Sequence, residues 1–286
     1  MKTKKILYIC TVGIILGVSC FFIPKIDRLA WRAVSIVEFE ILKLLSTNFR
    51  QSKDVDNVNN FIIASHRGVF SKEICDNTEK SILLAIKNGY SFIELDVSFS
   101  KDNVPIIFHD NNLKRKAQLD RNTSEVYWEE IQNFLLFDGQ KISSLESVLE
   151  KYAINFKGII LDVKTDDVYI TKKVEGFSRI IRNYKKLTNI YVIGLPFKII
   201  NKIKKLNPKL KVGCENLGVI YNYFNGMDLI SLNYYSQFSD LEYYFAKKLG
   251  LDVIIWTVNE YEIIEKLKQY SPIIVLTDIA NIKRFI

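Results

Sequence analysis

Short apolar runs and longer amphipathic stretches alternate along most of the chain. The apolar runs are FIIAS (61–65), FIELDV (92–97), GIILDVK (158–164), NIYVIG (189–194), KVGCE (211–215), DLISLN (228–233), DVIIWTV (252–258) and IIVLTD (273–278). Each is short and largely apolar, as expected of strands in a buried parallel sheet. Between most of them lie segments with apolar residues at helical spacing: EKSILLAIKNG, VEGFSRIIRNYKKL, PFKIINKIKKLN, QFSDLEYYFAKKLG and YEIIEKLKQY. Such alternation predicts a parallel sheet with crossover helices. Eight units over roughly 225 residues fit a closed TIM (β/α)8 barrel. An open doubly wound sheet is the alternative.

One run breaks the alternation. VPIIFHD (104–110) follows the second strand after only a few residues. A parallel crossover needs about a dozen or more residues, so these two strands form an antiparallel hairpin. With a tight turn centred on Asp102 and Asn103, paired positions sum to 205 and His109 falls opposite Asp96. The hairpin belongs to an insertion after the second barrel strand, about residues 98–142, which includes the Trp128 region.

The N-terminus has a different pattern. Three lysines precede residues 6–24, which carry no charge. That length is close to the roughly 20 residues needed to span a bilayer. Residues 1–25 are therefore read as an uncleaved single-pass anchor, with a cleaved signal peptide as the alternative. Residues 26–60 form an amphipathic helix and a polar linker, and the main domain occupies 61–286. The helix lies on the membrane or packs on the domain. Lys25, Arg28 and Arg32 balance the N-terminal lysines, so charge does not fix the orientation. The expectation is a membrane protein with its catalytic domain outside the cytoplasm.

Composition changes this picture little. Of 286 residues, 48% are hydrophobic, enough for a large core. The formal charge of +8 comes from scattered lysines, without basic runs interleaved with aromatics, which argues against a nucleic-acid partner. Cys10, Cys20, Cys75 and Cys214 have neither metal-ligand spacing nor the density of a disulfide scaffold.

Candidate chemistry appears where the strands end. Barrel enzymes carry their active groups at the C-terminal ends of the strands. Here those ends offer His66 and Arg67, then Glu94 and Asp96, Asp162 and Lys164, and Trp256 and Asn259, with His109 on the hairpin. Glu94 and Asp96 share one strand face, as do Asp162 and Lys164. Converging carboxylates raise one another's pKa and call for a cation, and oxygen ligands suit Ca2+ or Mg2+. Arg67 and Lys164 beside such an ion suggest a bound phosphate. His66 and His109 supply the proton acceptor and donor that phosphoester cleavage needs. Taken singly, each feature has a structural explanation: a core histidine, an exposed Glu-x-Asp pair, a local Asp–Lys ion pair. Their convergence on one rim favours function.

At these residues the chain resembles the glycerophosphodiester phosphodiesterases. The matching elements are SHRG (65–68), DNTEKSILLAIKNG (76–89), IELDVSFSKDNVPIIFHDNNLKR (93–115), SSLESVLE (143–150), LDVK (161–164), WTVN (256–259) and LTD (276–278). The resemblance covers about residues 61–286 and implies a TIM barrel with a small insertion after the second strand. It implies His66 and His109 as the catalytic pair, Glu94 and Asp96 as metal ligands, and Arg67 and Lys164 as phosphate-binding residues. Asp162 stands where the family usually has a glutamate, and remains a candidate ligand. Cys75 and Asp76 replace a usual Pro-Glu, and IGLPF replaces a usual Ser-Phe. Trp256 packs against the glycerol or head group, or serves as a core aromatic. The implied activity is metal-dependent hydrolysis of glycerophosphodiesters to glycerol phosphate and an alcohol. Alternatives are lysophospholipase D or phospholipase C-like action on membrane lipids, and a catalytically weak phosphodiester- or lipid-binding protein.

Overall fold

A computed structural model describes residues 61–164, 170–184, 189–215, 219–271 and 273–282. The anchor and helix expected within 1–60 lie outside the described residues. Among the described residues, no helix is long and apolar enough to cross a membrane.

All eight apolar runs are strands: β1 (Phe61–His66), β2 (Phe92–Phe99), β4 (Gly158–Val163), β5 (Asn189–Ile193), β6 (Lys211–Glu215), β7 (Leu229–Asn233), β8 (Asp252–Trp256) and β9 (Ile273–Thr277). Each pairs in parallel with its neighbours, and β1 pairs with both β9 and β2, which closes the barrel. The open-sheet alternative is thereby excluded. β3 (Pro105–Ile107) is antiparallel to β2 and lies outside the ring.

Closure gives each strand a hydrophobic lining on both faces. Inward, Ala64, Phe92, Ile160, Tyr191, Ile193, Leu229, Ile254, Ile274 and Leu276 fill the barrel. The alternate residues pack outward against helices. α1 (Glu79–Lys87), α4 (Leu145–Tyr152), α5 (Ile170–Asn183) and α6 (Phe197–Leu206) lie beside a cluster that includes Ile93, Leu95, Leu161 and Val192. α8 (Asp240–Lys248) and α9 (Tyr261–Leu267) cover a second cluster with Val253, Ile255 and Val275. α7 (Val219–Phe224) precedes β7. Because side chains alternate along a strand, the inward set continues past the apolar layers to the rim. It reaches His66 on β1, Glu94 and Asp96 on β2, Asp162 on β4, Glu215 on β6 and Trp256 on β8.

The segment after β2 contributes β3, α2 (Lys114–Ala117) and α3 (Trp128–Ile131) around its own apolar cluster of Ile106, Phe108, Leu113, Val126, Ile131, Leu136 and Ile142. The hairpin register differs from expectation by one residue. Val97 pairs with Ile107, Ser98 with Ile106 and Phe99 with Pro105, so paired positions sum to 204. The cause is the turn. Ser100 and Val104 close a three-residue loop, with Ser100 N–H donating to the Val104 carbonyl at 3.0 Å and Asn103 at φ +65. A three-residue loop ending in a left-handed residue shifts the register that a two-residue turn would set. Phe108, not His109, therefore lies opposite Asp96, and its N–H donates to the Asp96 carbonyl at 3.1 Å.

Gly68 also has a role that the sequence did not reveal. At φ +77, an added Cβ would meet Ser81 Oγ at 2.5 Å and the Ser81 backbone at 2.7 Å. The close approach is to the first turn of α1, which is capped by Thr78 and whose Ser81 Oγ donates to the Arg67 carbonyl at 3.1 Å. Gly68 thus lets α1 dock beneath the His66–Arg67 turn.

Candidate active site

Parallel pairing of β2 with β4 sets Asp96 beside Asp162, and Glu94 lies one inward position below. All three side chains are buried, and they offer ligand oxygens within 4.8 Å of one another. One oxygen of each (Glu94 Oε1, Asp96 Oδ1 and Asp162 Oδ1) is buried without a hydrogen-bond partner. Burial, reinforced by Asp96, pushes the Glu94 carboxyl well above its ordinary range. Burial and the neighbouring Glu215 push Asp162 up to about 8. Asp96 stays low, because Arg67 and Lys164 outweigh its burial. Clustered buried carboxylates with oxygens that make no hydrogen bond are what a hard divalent cation would satisfy. Space for Asp162 is made by Gly194 at φ +81, where an added Cβ would meet Asp162 Oδ1 at 2.5 Å.

A pH dependence follows. In the cation-free protein, the stability contributed by protonated Asp162 is complete below its ordinary value of 3.8 and is lost as pH rises through about 8. A bound cation must displace that proton, so its affinity falls as pH drops below this value. Added Mg2+ or Ca2+ is therefore expected to raise the melting temperature more at pH 8.5 than at pH 6. An equal shift at both pH values contradicts the assignment.

Two cations flank the carboxylates. Arg67 occupies the left-handed region at φ +60, and its N–H donates to the Glu94 carbonyl and to Glu94 Oε2, both at 3.0 Å. Its Nε lies 3.0 Å from Asp96 Oδ2. Lys164 Nζ contacts Asp162 and lies 3.3 Å from Asp96 Oδ1 and 3.9 Å from Glu215 Oε2. These carboxylates outweigh its burial and raise its pKa, so it stays charged.

Both histidines use Nδ1 on a carboxylate. His66 Nδ1 lies 2.7 Å from Asp278 Oδ1. Asn259 Nδ2 donates to the other Asp278 oxygen at 2.9 Å, and Asn259 Oδ1 accepts the Asp278 N–H at 2.8 Å. His66 Nε2 is then turned inward, 3.9 Å from Glu94 Oε2. His109 Nδ1 lies 2.9 Å from Asp110 Oδ1, and Arg115 grips Asp110 with Nε at 2.8 Å and Nη2 at 2.9 Å. Against the cost of burial, Arg115 and His109 hold Asp110 down to about 2. His109 is not opposite Asp96, yet its charge still helps to hold Asp96 low. An ionised partner on Nδ1 holds the proton there and leaves Nε2 free of that carboxylate. Asp278→Asn is accordingly expected to lower kcat about 10- to 100-fold with unchanged metal binding by calorimetry. An unchanged kcat contradicts this positioning role.

Trp256 packs on the apolar barrel filling, and its Nε1 is buried without a partner. Several groups around the site had no assigned role in the sequence. Asn77, at φ +57, donates from Nδ2 to Asp96 Oδ2 at 2.7 Å and accepts the Asp96 N–H at 3.0 Å. Asp278, Glu215, Asp110 and Arg115 complete the set. A polar residue ending an apolar strand was the available signal for Asp278 and Glu215. Asn77, Asp110 and Arg115 lie inside the stretches that carry the family resemblance, but no local pattern there assigns them a role.

The family model described as the glycerophosphoryl diester phosphodiesterase family matches residues 66–214. A glycerophosphodiester phosphodiesterase of Caldanaerobacter subterraneus is 24% identical over 229 residues, which is 76% of this chain and 93% of the relative. Human lysophospholipase D GDPD1 is 26% identical over 162 residues, 52% of this chain and 49% of its own. An Oleispira antarctica phosphodiesterase, solved in complex with the product sn-glycerol-3-phosphate, superposes with a TM-score of 0.68 at 20% identity and covers 76% of this chain and 92% of its own. The closed barrel, the rim carboxylates and the matched segment agree: the chain belongs to the glycerophosphoryl diester phosphodiesterase family and is a phosphoric diester hydrolase.

Proposed function

We propose that the protein hydrolyses glycerophosphodiesters to glycerol phosphate and an alcohol, using a divalent cation and two histidines. The observation that carries this reading is the buried set of Glu94, Asp96 and Asp162, each with one carboxylate oxygen that makes no hydrogen bond, flanked by Arg67, Lys164, His66 and His109. Glu94, Asp96 and Asp162 would hold Ca2+ or Mg2+. Bound there, such an ion supplies charge stabilisation to the phosphoryl oxygens. Arg67 and Lys164 hold the non-bridging oxygens and orient phosphorus toward the histidines. One imidazole Nε2 takes the proton of the attacking oxygen as its bond to phosphorus forms. The other gives a proton to the departing alcohol as the P–O bond breaks. Asp278 and Asp110 hold the two rings in the orientation this needs. Trp256 offers an apolar wall to the glycerol or head group.

The direct test is release of glycerol phosphate from a panel of glycerophosphodiesters with different divalent ions. No release with any pair contradicts the reading. The similarity to a human lysophospholipase D supports a second substrate class, lysophospholipids, which the same panel distinguishes. We further propose that residues 6–24 anchor the chain in a membrane, with the barrel outside the cytoplasm; the uncharged length of this run supports the anchor alone. Protease treatment of intact cells tests it: cleavage of the barrel is expected, and protection contradicts the placement.

A further inference from the structure

Lys116 is the most completely buried lysine among the described side chains, 2% exposed, on the four-residue helix α2 of the insertion. Buried ammonium groups require a partner. Its Nζ contacts Asp76 Oδ1 and lies 5.2 Å from the centre of the Phe108 ring. Asp76 stands on the loop before α1, and its second oxygen faces Arg67 Nη1 at 3.7 Å. That distance is too long for a hydrogen bond. Arg67 meanwhile meets Asp96 through Nε at 3.0 Å. Asp76 is therefore a shared carboxylate: it is spent on Lys116 and acts on Arg67 only through its charge.

We propose that Lys116 is a positioning residue that keeps the Arg67 fork free for phosphate by neutralising Asp76 from behind. Lys116 is the partner that Asp76 meets in direct contact, while Arg67 stays beyond hydrogen-bond distance. Without Lys116, the nearest cation for Asp76 is Arg67, and closing the 3.7 Å gap would occupy Nη1. A bidentate grip on a phosphate would then lose one arm. Arg115 on the same helix braces Asp110 and, through it, His109. One short helix of the insertion thus serves the phosphate-binding arginine and a catalytic histidine through separate carboxylates.

The inference rests on Arg67 binding phosphate in the proposed function, so binding and turnover are measured separately. Inorganic phosphate is titrated calorimetrically into metal-loaded wild type, Lys116→Met, Lys116→Arg and Lys116→Met/Asp76→Asn, and KM and kcat are measured with glycerophosphocholine. Loss of one charge-assisted arm corresponds to about a tenfold effect. Lys116→Met is expected to weaken phosphate binding and raise KM about tenfold, with the loss concentrated in KM. Lys116→Arg and the double variant, which no longer has a carboxylate to capture Arg67, are expected to return to within about threefold of wild type. Unchanged phosphate affinity in a folded Lys116→Met, or no recovery in the double variant, overturns the proposal. Should Lys116→Met not fold, the double variant decides: near-wild-type affinity supports the role and a tenfold loss overturns it. Phosphate binding without diester hydrolysis in wild type would count against the proposed function and leave the Lys116 comparison readable.

Discussion

Replacing His66 with alanine is expected to lower kcat by about 10²- to 10⁴-fold, the range for removing a positioned proton-transfer group. His66 ends β1 and is only partly buried, and its ring is held by Asp278 on one side and open toward the carboxylates on the other. Truncation removes the Nε2 that is turned toward Glu94 but leaves the barrel filling of Ile62 and Ala64 in place. The variant should therefore fold and still bind a divalent ion, and its defect should lie in turnover. His109→Ala should behave alike, since its ring is fixed by Asp110 in the same manner. Full activity in either variant excludes that histidine from the mechanism.

The second large effect is expected at Asp96. This carboxylate is fully buried and joins three roles: it offers an oxygen to the candidate cation site, it faces both Arg67 and Lys164, and it accepts from Asn77. Asp96→Asn removes the charge and keeps the shape. Losing the cation's charge stabilisation, worth several kcal/mol, corresponds to a fall in kcat/KM of about 10³-fold. The melting-temperature rise produced by added metal should vanish with it. Stability in chelator should fall by less than the about 3–5 kcal/mol typical of breaking a buried pair. The reason is that the same change relieves Glu94 and Asp162 of a like charge. A variant that keeps its metal-dependent thermal shift contradicts the ligand assignment.

The barrel was legible because closure buries both faces of every stave, and a strand buried on both faces reads as an unbroken apolar run. The rim carboxylates were legible for the related reason that Glu94, Asp96 and Asp162 interrupt such runs at inward positions. What sequence reasoning missed depends on tertiary proximity or on one residue of turn geometry. The loop at Lys101–Asn103 could be read with two residues or three, and only the left-handed Asn103 decides between them. That single step moved His109 out of register with Asp96. Asp278 and Asn259 are 19 positions apart, Asp76 and Lys116 40 apart, and His66 and Asp278 212 apart, so no local pattern joins them. Gly68 faces Ser81 because α1 docks there, which strand periodicity does not encode.

The central claim, a cation-dependent phosphodiester hydrolase built on Glu94, Asp96 and Asp162, is tested most directly by one assay. Glycerol phosphate release from glycerophosphocholine is followed before chelation, after it, and after Mg2+ or Ca2+ is restored. Release that chelation abolishes and one of the two ions restores is the expected result. Release undiminished by chelation would contradict it.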